Sequence, residues 1–221
     1  MRLLLVHGMG RTPLSLTRLT RFLQGRGHRP ERLGYVAAVE GFERIRTRVR
    51  RRLEALALAG EPYAVLGHSL GGLALRAALS GLEPAPVHLI MLGTPKQPPR
   101  LALRLHRFWP YRLVCGESGQ LLARREFFAQ LPMPRVPYTI IAGSAGPCGP
   151  RSPFGYEAND WIVAVEETKI TAADRPTILQ VGHTFMMNDG RVHAAIRRAL
   201  EHVAARPAHA ADGTSGSRNV G

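Results

Sequence analysis

The sequence predicts an α/β domain with a mostly parallel central sheet flanked by helices, and three observations predict it. Short apolar runs recur along the 221 residues, at 3–6, 34–37, 63–66, 87–92, 138–142 and 177–181. Runs without polar alternation suit strands covered on both faces, as parallel strands are. Helical patterns fill the intervals, at 14–23, 42–58, 70–79, within 101–128, and at 190–204. That alternation is the rhythm of crossover-linked parallel strands. Finally, Gly67-His68-Ser69-Leu70-Gly71-Gly72 joins a strand to a helix with no intervening loop.

Taken in order, the opening Met1-Arg2-Leu3-Leu4-Leu5-Val6 resembles a leader peptide for six residues only. It then meets His7-Gly8-Met9-Gly10, with no extended apolar region and no small-residue cleavage site, so it reads as a buried first strand. Within 42–58, Ile45, Val49, Leu53 and Leu56 fall at helical spacing and arginines fill the rest of the circumference, which describes a solvated helix face. The stretch after Gly93, about 96–136, is too long for a simple connection and carries its own helical patterns, so it is expected to be an inserted cap or lid. Residues 143–154, rich in Gly and Pro, read as a loop. One domain is expected over 1–205, with a disordered tail over 206–221, where Ala, Gly, Ser and Asn dominate.

Composition narrows the class. The formal charge of +14 comes almost wholly from arginine, yet no nucleic-acid motif accompanies it. No apolar stretch is long enough to span a bilayer. Cys115 and Cys148 lie in no paired metal-ligand spacing and suit reduced thiols, so a cytoplasmic setting without a metal is expected, with a disulfide between them as the alternative for an exported protein.

The chemistry gathers around Ser69. In Gly-x-Ser-x-Gly between a strand and a helix, small residues allow a tight turn that exposes the serine hydroxyl above the sheet. Acyl transfer at serine also needs a base, an acid to orient it, and amide donors for the developing oxyanion. The turn after the first strand supplies one donor candidate, the Met9 amide, and the Leu70 amide directly after Ser69 supplies the other. Among the nine histidines, only His183 sits at the carboxyl end of a late strand, where ligand-facing loops of such sheets gather. His68 adjoins the serine but occupies a position expected to pack beneath the turn. Asp160 is the leading acid, with Asp189, Asp174, Glu157 and Glu166 as alternatives. Asp189 looks like a helix cap, and Asp174 like a turn residue. No carboxylate lies between Gly93 and Cys115, which excludes an acid just after the fourth strand.

These segments resemble the lipase and esterase-like members of the α/β-hydrolase superfamily. His7-Gly8-Met9-Gly10 is similar to their oxyanion turn, and Gly67-His68-Ser69-Leu70-Gly71-Gly72 to their nucleophile elbow. Leu92-Gly93-Thr94-Pro95 matches a strand end of those proteins, and Asn159-Asp160-Trp161-Ile162-Val163 their acid loop. The resemblance implies a compact α/β-hydrolase fold, a Ser69-His183-Asp160 triad, cleavage of carboxylic esters through an acyl-enzyme, and no cofactor. Trp161 departs from the pattern, standing where a glycine is common. The chain also begins at the strand bearing the oxyanion turn, which implies that two leading strands of larger relatives are missing. An idle hydrolase fold used for binding is the alternative from another class. A thioesterase, an amidase and an acyltransferase are the chemical alternatives. Leu101, Leu105 and Phe108 would line one face of a cap helix beside Arg100, Arg104 and Arg107, followed by Trp109. This combination suits a small-molecule or lipid ester and peripheral contact with an anionic membrane.

Overall fold

The computed structural model describes residues 1–205; the expected tail, 206–221, lies outside the described residues. Six strands form one sheet in the order β2-β1-β3-β4-β5-β6, every neighbouring pair parallel. They are β1 (Arg2–Val6), β2 (Arg29–Leu33), β3 (Tyr63–His68), β4 (His88–Leu92), β5 (Tyr138–Gly143) and β6 (Thr177–Leu179). Among the described residues eight α-helices accompany them: α1 (Thr17–Gln24), α2 (Phe42–Leu58), α3 (Leu70–Ala78), α4 (Arg100–Leu105), α5 (Trp109–Leu121), α6 (Arg125–Gln130), α7 (Val165–Thr168) and α8 (Gly190–Ala204). No helix among the described residues is long and apolar enough to cross a membrane.

The unalternating strands follow from two covered faces. In β1, Leu4 and Val6 join a core formed with Ile45, Val49 and Leu53 of α2 and with α3, whereas Leu3 and Leu5 join Leu19 and Leu23 of α1 and Ile196 of α8. Each such fully buried aliphatic side chain contributes about 1.5–3 kcal/mol. The arginines of α2 stay at the surface, where Arg46, Arg48, Arg50 and Arg52 pair with Glu43, Glu40, Glu54 and Glu31.

Chain order reverses between β1 and β3: the chain steps outward from β1 to β2, then returns to place β3 on the other side of β1. Ligands gather at the carboxyl ends flanking such a reversal. His7-Gly8-Met9-Gly10 leaves β1 there, and Ser69 leaves β3 beside it.

Three sequence expectations need correction. The second strand is Arg29–Leu33, not 34–37. It lies at the sheet edge, so a polar run containing Pro30 is tolerated, and apolarity was a poor guide. Tyr35 and Ala37 are buried, but in the following loop. The last strand stops at Leu179 rather than 181 and is also an edge. The cap region does not hold one helix carrying Leu101, Leu105 and Phe108 on a shared face. Helix α4 ends at Leu105, Phe108 has extended backbone, and α5 begins at Trp109 with Pro110 in its first turn, where a missing amide hydrogen costs little.

Candidate active site

Ser69 joins β3 to α3 with φ 52° and ψ −119°, a conformation L-residues seldom adopt. Holding it costs on the order of 1–3 kcal/mol. The flanking glycines make the turn sterically feasible. A Cβ on Gly67 would collide with the Gly72 backbone, and one on Gly71 with the carbonyl oxygens of Val6 and His7. Ser69 is anchored to the next strand by its amide, which donates to the Leu92 carbonyl at 2.8 Å. Leu70 opens α3, so its amide has no carbonyl partner within the helix.

His183 and Asp160 form a buried pair: His183 Nδ1–H donates to Asp160 Oδ2 at 2.6 Å. The other carboxylate oxygen, Oδ1, accepts the amides of Ile162 at 3.0 Å and Val163 at 2.7 Å. The His183 amide donates to the Asp160 carbonyl at 2.9 Å, which ties the two loops together. With Nδ1 donating, Nε2 is the ring nitrogen left to accept a proton. Gly93, at the end of β4 with φ 53°, leaves the room this pair occupies. A Cβ there would lie 3.0 Å from His183 Nδ1 and 3.1 Å from Asp160 Oδ2.

The alternative acids are engaged elsewhere. Asp189 caps α8 by accepting the Arg191 amide at 2.8 Å. Asp174 closes a turn through the Ile170 and Thr171 amides. Glu157 holds Arg100 through both oxygens at 2.7 Å, and Glu166 pairs with Lys169 at the surface.

Several contacts that shape this corner were not anticipated from sequence. His7 is buried and stacked on Tyr35, with ring centroids 4.2 Å apart. Its Nδ1–H donates to the Gly8 carbonyl at 2.9 Å, and its Nε2 accepts the Tyr35 amide at 3.3 Å. Those roles require the neutral ring, which burial favours by lowering its pKa. His68 lies beneath the elbow as expected, but it also donates Nε2–H to the His183 carbonyl at 3.0 Å. Burial, then the nearby His183, push its pKa well down. Arg11 donates Nη2–H to the Thr184 carbonyl at 2.8 Å. Glu167 is buried and accepts the amides of Arg100 at 3.0 Å and Ala164 at 2.9 Å, linking α4 to the acid loop; burial raises its pKa. Only the His-Gly dipeptide hinted at His7, and none of the other long-range contacts leaves a local sequence signal.

Trp161 also has positive φ, at 83°. For a non-glycine residue this costs about 1–2 kcal/mol. The turn is held by the Asn159 side chain, whose Oδ1 accepts the Trp161 amide at 3.0 Å while Nδ2 donates to the carbonyls of Pro147 and Glu157.

Met9 is half-buried against the cluster that contains Leu70 and the cap residues Ala102, Leu122 and Phe128. Leu101 and Leu105 are half-buried, while Phe108 and Trp109 are 60% and 74% exposed. Among the described residues, no group of three or more His, Cys, Asp or Glu side chains is placed to hold a metal ion.

A six-stranded parallel sheet, a strained serine elbow at the chain reversal and a buried His–Asp pair define a class of α/β enzyme folds. The sequence pattern of the alpha/beta hydrolase family matches residues 3–213, and the chain belongs to that family. No curated protein matches the sequence significantly. Among solved structures, the mature lipase BlEst2 of Bacillus licheniformis superposes with a TM-score of 0.70 at 16% identity, over 90% of this chain and 91% of that one. Tomato methylketone synthase I, solved with 2-tridecanone, gives 0.62 at 13% identity over 91% and 98%. Phospholipase PlaB of Legionella pneumophila, solved with thio-NAD, gives 0.62 at 14% identity over 92% and 62%. At these identities the likeness is one of fold.

Proposed function

We propose that the protein is a serine hydrolase that cleaves a carboxylic ester. The observation that carries this reading is the buried His183–Asp160 pair at 2.6 Å, on loops bonded to the elbow that presents Ser69. In the proposed cycle His183 Nε2 takes the Ser69 hydroxyl proton as Oγ attacks the acyl carbon. Asp160 holds the imidazole in the required tautomer, and the Met9 and Leu70 amides receive the oxyanion. His183 returns the proton to the departing alcohol oxygen, and water then cleaves the acyl-enzyme by the same route. A fluorophosphonate probe should label the wild type at Ser69 and leave Ser69→Ala unlabelled. A wild type that stays unlabelled while folded overturns the proposal in favour of an idle binding protein.

A lipid ester at an anionic surface is supported by the cap. Leu103, Phe108, Trp109 and Leu113 are exposed, as are Arg104, Arg107 and Arg112, so this segment offers both apolar and cationic side chains to solvent. The cap's inner residues share the cluster that holds Leu70. Anionic vesicles should therefore raise the rate on long-chain esters, and a strict short-chain preference without a vesicle effect would remove this refinement. A cytoplasmic setting belongs to the same proposal. Cys115 and Cys148 are both free thiols, as that setting would keep them.

A further inference from the structure

Two acidic side chains are buried among the described residues, Asp160 and Glu167, and they lie on the same stretch of chain. The proposed cycle uses Asp160 and leaves Glu167 without a role. A carboxylate withdrawn from water is costly unless donors replace the lost hydration, so its partners show what it holds together. Glu167 Oε2 accepts the Ala164 amide at 2.9 Å, and Oε1 accepts the Arg100 amide at 3.0 Å. Arg100 Nε, 3.7 Å from Oε1, supplies a countercharge. The Glu167 carbonyl accepts the Lys96 amide at 2.7 Å.

These donors come from two parts of the molecule. Ala164 closes the turn that contains Asp160, pairing with Asn159 as an antiparallel bridge. Inside that turn the Asp160 amide donates to the Val163 carbonyl at 3.1 Å, and Asp160 Oδ1 accepts the Ile162 and Val163 amides. Lys96 and Arg100 instead stand at the entry to the cap. Arg100 is the first residue of α4, where a helix amide has no partner within its own helix. Its guanidinium reaches back to Glu157, at the start of the acid loop, with Nη2 donating to both oxygens at 2.7 Å. One buried carboxylate therefore bonds both the root of the cap and the turn that carries the acid. We propose that Glu167 is a positioning residue for the triad: by holding the first amide of α4 and the Ala164 amide at once, it makes the place of Asp160 against His183 depend on docking of the cap root. A cap shifted at its root leaves Glu167 one donor short, and the turn around Asp160 loses the anchor at its closing residue.

This role rests on the triad proposed above, so its test includes a signal that needs no turnover. The proton on His183 Nδ1, in a 2.6 Å bond to Asp160, resonates far downfield and reports that contact directly. Two substitutions each remove one bond to the carboxylate. Glu167→Gln keeps the shape, but its NH₂ cannot accept an amide hydrogen. Arg100→Pro removes the amide hydrogen at a position where helices tolerate proline, and Pro99, at ψ 138°, already has the extended backbone that a following proline requires. Arg100→Ala is its reference: both lose the guanidinium, and only the proline loses the amide hydrogen. Relative to Arg100→Ala, Arg100→Pro should shift or broaden the downfield resonance. It should also lower kcat on 4-nitrophenyl butyrate about tenfold, as about half an ångström of misplacement does, with KM little changed. Glu167→Gln should do the same relative to the wild type. A resonance or a kcat unchanged in folded Glu167→Gln, or the same in Arg100→Pro as in Arg100→Ala, overturns the proposal. That holds even where the melting temperature falls, because Glu167 would then be a structural prop. If Glu167→Gln does not fold, the two Arg100 variants decide. A wild type without esterase turnover sinks the hydrolase reading alone, and the resonance still decides whether the cap root positions Asp160.

Discussion

Gly93→Ala tests the claim that the His183–Asp160 pair is a working part and depends on a missing side chain at the end of β4. Two penalties are separable. Gly93 has φ 53°, so an alanine there costs about 1–2 kcal/mol in backbone strain. At about 2–4 °C per kcal/mol for a chain of this size, the melting temperature should drop by about 2–8 °C. The added Cβ would also lie 3.0 Å from His183 Nδ1 and 3.1 Å from Asp160 Oδ2. Relief to ordinary contact displaces the pair by a few tenths of an ångström. Since about 1 Å of misplacement costs roughly a hundredfold, kcat should fall roughly fivefold to tenfold. Gly60→Ala supplies the control. Gly60 has φ 69° and nothing within 4 Å of the point an added methyl group would occupy, so it carries the strain alone. Thermal melts and 4-nitrophenyl butyrate turnover of both variants decide the matter. The expected outcome is a similar drop in melting temperature for both, with kcat reduced only in Gly93→Ala. Equal kcat in the two variants refutes the reasoning.

Asp160→Asn should keep the fold while kcat on 4-nitrophenyl butyrate falls roughly 10³–10⁴-fold. The Ile162 and Val163 amides hold the Asn oxygen, which turns its NH₂ toward His183 Nδ1 and leaves Nε2 protonated, unable to accept from Ser69. His68 and His7 are held neutral by burial, below the ordinary histidine value of 6.5. The unfolded chain then binds more protons than the folded one, so thermal stability should be full above about pH 6.5 and decline as pH falls through it. His68→Gln, measured by melts at pH 7.5 and 5.0, should flatten that decline; an unaltered slope would exclude His68 as its source. Asp189→Ala removes the cap of α8 and should lower the melting temperature by about 2–4 °C, from about 1 kcal/mol. The Arg191 side chain holds the Asp189 carboxyl down at about 2, so this loss should be the same at pH 5 and pH 8.

The sheet was legible where both faces are covered and illegible where they are not. β1, β3, β4 and β5 are internal, and burial on both sides leaves an apolar run with little room for alternatives. β2 and β6 are edges; one contains Pro30 and the other exposes Ile178. Local apolarity therefore misplaced the first by several residues and overextended the second. The corner around Ser69 was legible in a different way, through the order of residues at strand ends. The lack of a carboxylate after β4 has a physical counterpart. Gly93 stands there against His183 and Asp160, so the space an acid from β4 would need is taken by an acid from the loop after β5. The bonds from His7 to Tyr35, from Arg11 to Thr184 and from Arg100 to Glu167 had no comparable signature. Each depends on chain segments brought together only by the sheet.

Those unseen bonds explain how loops so distant in sequence can share one geometry. The histidine loop is tied through its backbone to three partners. His183 N–H bonds the Asp160 carbonyl, His68 of the elbow bonds the His183 carbonyl, and Arg11 of the first turn bonds the Thr184 carbonyl. The carboxylate and the imidazole are positioned by main-chain and buried contacts already made in the folded chain, so little reorganisation remains for a reaction to supply. The arrangement also makes the loops interdependent. Losing the His68 bond leaves the buried His183 carbonyl short of a donor, and a buried group left unsatisfied costs about 1–3 kcal/mol. An elbow substitution at a distance from His183 in sequence can therefore move its imidazole.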